Sequence, residues 1–149
     1  MRIKLTLLVI FFIACQAGYG QKNVNQLFKE FSSLKNVNKA DIGSLSLKLA
    51  GIFTDTFGVE SIEVLEFGSC SEEVKKDFAQ AVKSLKDAAF ETVVNSSKEG
   101  ERAKILLRIQ DDVIRELVVL SSGNSPAMVR IKGNIKKSDV EKVINEHAK

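Results

Sequence analysis

The chain has 149 residues, with 22 Lys and Arg against 19 Asp and Glu, one His, two Cys and no Trp. That length holds one ordinary domain, and a near balance of charge without any Lys/Arg run excludes the electrostatic footprint of a nucleic-acid-binding protein. Two cysteines, one of them within the first twenty residues, leave no disulfide framework, and one histidine leaves zinc sites short of ligands and histidine-based triads dependent on a single tail residue.

Met1 to Lys4 is a short basic start, Leu5 to Ala14 is apolar apart from Thr6, and Cys15 to Gln21 is small and polar. This order predicts an export signal over 1–20 and a single mature domain over 21–149. The apolar run, of about ten residues, falls short of the roughly twenty that cross a membrane. Two processing routes follow. Cleavage after Gly20 uses Gly18 and Gly20 as the small residues that a leader peptidase requires, and the mature chain then starts at Gln21. Alternatively, Phe12-Ile13-Ala14-Cys15 reads as a lipobox, with Phe12 where Leu is usual, and Cys15 becomes a lipidation site. The expected location is the periplasm or the extracellular space, or the outer membrane for the lipidated form, with Cys15 as the sole membrane contact. Removing 20 residues leaves 129, of which 20 are basic and 19 acidic, with no Tyr and with Cys70 as the one thiol.

In the mature chain, Val24, Leu27, Phe28, Phe31 and Leu34 recur at helical spacing and predict an amphipathic helix over 23–35. Lys39 to Gly43 reads as a short strand. Ser44 to Phe53 fits both periods, and the helix is taken on the spacing of Leu45, Leu49, Ile52 and Phe53. Val59 to Phe67 is rich in branched residues and predicts a strand. Ser69 with Glu72 has the spacing of a capping box, and Val74, Phe78, Ala81, Val82 and Leu85 mark a helix over 71–87.

From Phe90 the period becomes two, with Phe90, Thr92 and Val94 alternating. Turns are predicted at Lys98 to Glu101, Gln110 to Asp112 and Ser122 to Ser125. Ala103, Ile105, Leu107 and Ile109 are expected inward, with Lys104 and Arg108 outward. Val113 to Ser121 is apolar on both faces and should be central. Val129 and Ile131 are expected inward, Arg130 and Lys132 outward, with Gly133-Asn134 closing that strand. Ser138 and Glu141 predict a capping box for a last helix over 137–147. Matching inward residues across the turns pairs Leu107 with Leu117, Ile105 with Val119, and Leu117 with Ile131. Glu116 then stands between Arg108 and Lys132 as an outward charge ladder. The fold class expected is two-layer α+β: a largely antiparallel sheet, ending in a four-strand meander over about 89–133, with helices packed on one face.

Val64-Leu65-Glu66 before a charged helix, Glu116-Leu117-Val118-Val119-Leu120, a short polar turn, and Met128 to Ile135 together form a recognisable pattern. The chain resembles the domain of unknown function 4252 family, small exported proteins of Gram-negative envelopes. The resemblance covers most of 24–147 and is strongest in the last forty residues. It implies an envelope location and a fold, and carries no activity onto any residue. Many relatives have a clearer lipobox, which keeps lipidation at Cys15 open.

Chemical motifs are absent. His147 lies two residues from the end, where fraying prevents it from positioning a proton. Asp111-Asp112 has hairpin-turn chemistry without calcium-loop spacing, and no glycine-rich phosphate loop occurs. Cys70, just before the helix over 71–87, is the one candidate reactive thiol, set against a structural role as a small, partly buried residue. No cofactor or metal is expected, and no enzyme activity. Two readings of function remain: a non-catalytic envelope module that binds a partner protein, or a carrier or sensor of a small apolar ligand held between helices and sheet.

Overall fold

The computed structural model describes residues 22–39 and 58–147. The leader over 1–20 with Cys15, the strand residues expected after Lys39, and the helix expected over 44–53 lie outside them. The described elements are helix α1 (Val24–Ser32), strands β1 (Asn38–Lys39) and β2 (Val59–Glu66), helix α2 (Glu72–Ser84), strands β3 (Glu91–Lys98), β4 (Glu101–Gln110), β5 (Val113–Ser122) and β6 (Ala127–Lys136), and helix α3 (Lys137–His147). The fold is α+β. Its six strands form one antiparallel sheet in the order β1-β2-β6-β5-β4-β3, and β3 to β6 make a C-terminal meander.

Local chemistry sets most boundaries. Asn23 caps α1 by accepting from the Gln26 amide, and the Gln26 side chain accepts in return from the Asn23 amide at 3.1 Å. This capping box satisfies two amides that the first turn leaves free. For α2 the cap is Ser71, which accepts from the Val74 amide at 3.3 Å. The expected Ser69–Glu72 box is therefore displaced by two residues, since Ser71 is the last extended residue before the helix. Likewise Ser138 falls inside the first turn of α3 and not before it.

The two tight hairpins have two-residue turns. Glu99 and Gly100 have φ of 52° and 82°, and Asp111 and Asp112 have 54° and 59°. Positive φ at both central positions twists the chain in the sense that antiparallel strands require. Asp tolerates this region better than most side chains, which explains a glycine-free second turn.

The register pairs Leu107 with Leu117, Ile105 with Val119, and Leu117 with Ile131. Local irregularities depart from simple alternation, one of them a shift between Val59 and Ser61 where β2 meets β6. A bulge at Val93 puts Thr92 opposite Leu106 and Val94 opposite Ile105, so Thr92 and Val94 face opposite sides. Arg115 is the extra residue of β5 against β4, whereas between β5 and β6 the extra residue lies in β6, at Gly133-Asn134. Strand β6 does not stop at Gly133-Asn134 but runs to Lys136 and straight into α3. Gly133 is where the backbones of β6 and β2 crowd together. A Cβ there would overlap the Gly58 carbonyl oxygen and stand 2.9 Å from the Val59 Cα.

The sheet is apolar on both faces. One face carries Leu65, Leu106, Val118, Leu120 and Met128, and packs under α1 and α2 through Leu27, Phe31, Phe78 and Val82. The other carries Val64, Leu107, Leu117, Val129 and Ile131, joined by Val140 of α3. Phe31, Phe67 and Phe78 pin α1, the end of β2 and α2 together. Phe31 meets both other rings edge-on at 5.7 and 5.1 Å, and Phe67 stacks on Phe78 at 4.3 Å. Each such pair adds about 0.5–1.5 kcal/mol beyond the area it buries.

Candidate functional site

Charged side chains occupy the α1/α2 face, which is where the sequence pattern had placed them in solvent. Glu116 is 3% exposed and Arg130 is 9% exposed. Glu116 stands opposite Arg108 and opposite Lys132 in the register. Its carboxylate accepts from Arg108 Nε at 3.2 Å, with Arg108 Nη2 at 3.1 Å, and from Arg130 Nε. The second cation of the ladder is thus Arg130, and not Lys132. Arg130 lies diagonally across from Glu116, within reach of a long planar fork, while opposing Cα positions alone do not make an ion pair. Arg130 also donates to Asn25 Oδ1, lies 5.5 Å above the ring of Phe28, and stands 3.9 Å from a Glu63 oxygen. The ladder is a buried clamp between the sheet and α1.

Lys104 is the other buried charge, at 7% exposure. Its Nζ donates to the Val82 and Leu85 carbonyls at 3.3 and 2.8 Å. These groups end α2, so the ammonium satisfies helix carbonyls and meets the negative end of the dipole. Burial lowers the Lys104 pKa from its ordinary 10.5, and the neighbouring cations Arg102 and Lys86 lower it further. Asp87 ties down the opposite helix: its two oxygens accept from the Val24 amide at the start of α1 and from the Ala89 amide, each at 3.0 Å.

Cys70 is buried in the α1/α2 cluster, its Sγ donating to the Asn36 carbonyl at 3.3 Å. Ser71 and not Cys70 occupies the cap, so the thiol sits one residue before the cap and two before the first helical residue. No group of three or more metal-ligating side chains converges among the described residues, and no described helix is long and apolar enough to cross a membrane.

The longest exposed strand of the described sheet is β3. It bonds only β4 among the described strands, and seven of its eight residues are exposed, Val94 being half-buried. Val93, at the bulge, is 41% exposed. Between Glu91 and Lys98 the strand has no charge and no proline. Beside this edge an open cleft of about 530 Å³ is lined by Lys83, Lys86, Asp87, Thr92, Asn95 and Lys104, over Leu85 and Leu106. A second cleft, of about 370 Å³, lies at the other end of β4 and holds Arg108, Arg115 and Lys132 with Glu60. The sequence reading named Lys104, Arg108 and Lys132 but neither Lys83, Lys86 and Arg115 nor this edge, whose signal was the polar run Asn95-Ser96-Ser97 in a strand-period segment.

The family model described as domain of unknown function (DUF4252) matches residues 31–143. The chain belongs to that family. No curated protein and no solved structure matches it. The matched span runs from the end of α1 into α3 and contains the sheet, α2, the Arg108–Glu116–Arg130 part of the clamp and the β3 edge. The family description assigns none of them a role.

Two outcomes follow from the buried charges. Arg130→Met leaves Glu116 with one cation and costs about 3 kcal/mol in denaturant unfolding, and adding Glu116→Leu recovers most of that loss. Lys104→Met loses two hydrogen bonds and costs about 1–3 kcal/mol at pH 7. Because the folded pKa lies below the unfolded one, the native state binds fewer protons between the two values. Stability due to Lys104 therefore rises as pH climbs through that window toward 10.5. The gap between wild type and Lys104→Met in unfolding free energy widens there.

Proposed function

We propose that this chain is a non-catalytic, exported envelope protein that binds a partner protein by accepting an extended segment along the β3 edge. The observation that carries this reading is the edge itself. An unpaired row of amides and carbonyls over eight residues is a template for strand addition, and monomeric proteins usually blunt such rows with charge, proline or a covering element. Here the strand's only charges are its end residues Glu91 and Lys98, the bulge at Val93 is the one device between them, and the stretch from Val94 to Lys98 pairs regularly with β4. The basic start, apolar run and small-residue end of 1–20 support export. The absence of catalytic spacing in the sequence supports binding over chemistry.

The apolar-carrier reading has less support. The space between α1, α2 and the sheet is filled by Phe31, Phe67, Phe78 and their neighbours. Among the described residues, the two clefts above and a third of about 490 Å³ beside Glu99, Glu101 and Arg102 are open and rimmed by charge.

A photo-reactive phenylalanine analogue placed at Ser96 tests the reading in producing cells, with the exposed Glu73 of α2 as the control position. Ser96 should give a discrete adduct that Glu73 does not, and Val94→Lys should abolish it. The adduct should carry a chain that starts at Gln21 or is lipidated at Cys15. Adducts equal from both positions, or from neither, contradict strand binding. A full-length chain retained in the cytoplasm contradicts export.

A further inference from the structure

Resting on the β3-edge reading above, we infer that the partner segment alternates acidic and apolar residues, with the acidic row facing α2. The two sides of the edge differ in kind. On the α2 side, β4 presents Arg102, Lys104 and Leu106, paired across to Ser97, Asn95 and Thr92 of β3. The end of α2 adds the exposed Lys83 and Lys86 to the cleft that Lys104 and Leu106 line, with Arg102 beyond its end. The one carboxylate lining that cleft is Asp87, and both of its oxygens are engaged by the Val24 and Ala89 amides. Glu91 and Glu101 do not balance the cations, because Glu91 pairs with Leu107 and Glu101 lies one residue before Arg102, which places both on the opposite side.

The crowding is visible in Lys104, whose charged form is disfavoured by Arg102 and Lys86 as well as by burial. A trough with the exposed Lys83 and Lys86 over the buried Lys104, flanked by Arg102 and holding one committed carboxylate, runs beside a strand edge that no other described strand pairs, and is complementary to carboxylates on an added strand. The opposite side presents Val94 and Ser96, with Ile105 and Ala103 behind them. Ile105 belongs to the second apolar cluster. Successive side chains of an added strand point to alternate sides. One row therefore meets the cations and the other extends the apolar face.

Three synthetic peptides separate the claims: Thr-Glu-Val-Glu-Val-Glu-Thr, its Gln counterpart and its Lys counterpart. Each is titrated into the mature chain while backbone amide resonances are followed. The Glu peptide should shift the amides of 92–98 and bind about fivefold tighter than the Gln peptide at low salt, with the Lys peptide weakest. The preference should shrink in 0.5 M salt and in Lys86→Gln, whose exposed side chain is not needed for folding. Equal binding of the Glu and Gln peptides, with β3 shifts from both, would overturn the acidic preference and leave strand addition standing. No β3 shifts from any peptide would overturn strand addition itself. A dimer of the chain alone by sedimentation, lost in Val94→Lys, would assign the edge to a second copy and overturn the proposal.

Discussion

Val118 and Leu120 of β5 point to α1 and α2, while Ile114 and Leu117 point to the opposite face. Val129 and Ile131 of β6 share that second face, and Met128 shares the first. A strand with apolar residues on both sides loses stability at an edge, where one flank of its backbone and part of each face meet water. β5 and β6 therefore sit inside the sheet, with β2 outside β6 and β4 outside β5. The rest of the arrangement follows outward from that pair. The short β1 closes one described edge, and the polar β3 closes the other.

Charge inside such a molecule must be accounted for group by group, because an unpaired buried charge costs several kcal/mol. Each buried charge here is answered by a partner that also fixes a helix. Glu116 is held by Arg108 and Arg130, and Arg130 reaches Asn25 and Phe28 of α1. Lys104 closes the end of α2, and Asp87 closes the start of α1. The two helices share an apolar cover over the sheet, and hydrophobic packing alone does not fix their position along it. Directional bonds from Arg130, Lys104 and Asp87 supply that register.

Much of this was legible in the residues. Period-two runs gave the meander and its register, since inward apolar pairs leave little freedom to slip. Family membership was legible from the Glu116–Leu120 and Met128–Ile135 segments. The side to which each row points was not. Ile105, Leu107 and Leu117 look like the only inward row, because Arg108, Glu116 and Arg130 are charged. Yet that charged row lies under α1, where its members neutralise one another. Alternation distinguishes two faces but does not say which of them a helix will cover. The bulges at Val93 and Arg115 were also hidden, as both residues fit regular strands. The Ser71 cap was masked by Ser69, whose spacing to Glu72 is better. The expectations on 1–20 and 44–53 fall outside the described residues.

A stable centre with a bare outer strand is the combination that the proposed function needs. Strand addition requires backbone groups that are exposed in the native state, on a sheet that does not open when they are used. Native-state amide hydrogen exchange tests this arrangement most directly. The amides of Val113–Ser122 and Ala127–Lys136 should exchange only through global unfolding. Alternate amides of Glu91–Lys98, those turned away from β4, should exchange faster by orders of magnitude, with their neighbours bonded to β4 in between. Uniform strong protection along β3 would show that the edge is already covered, and would contradict the account.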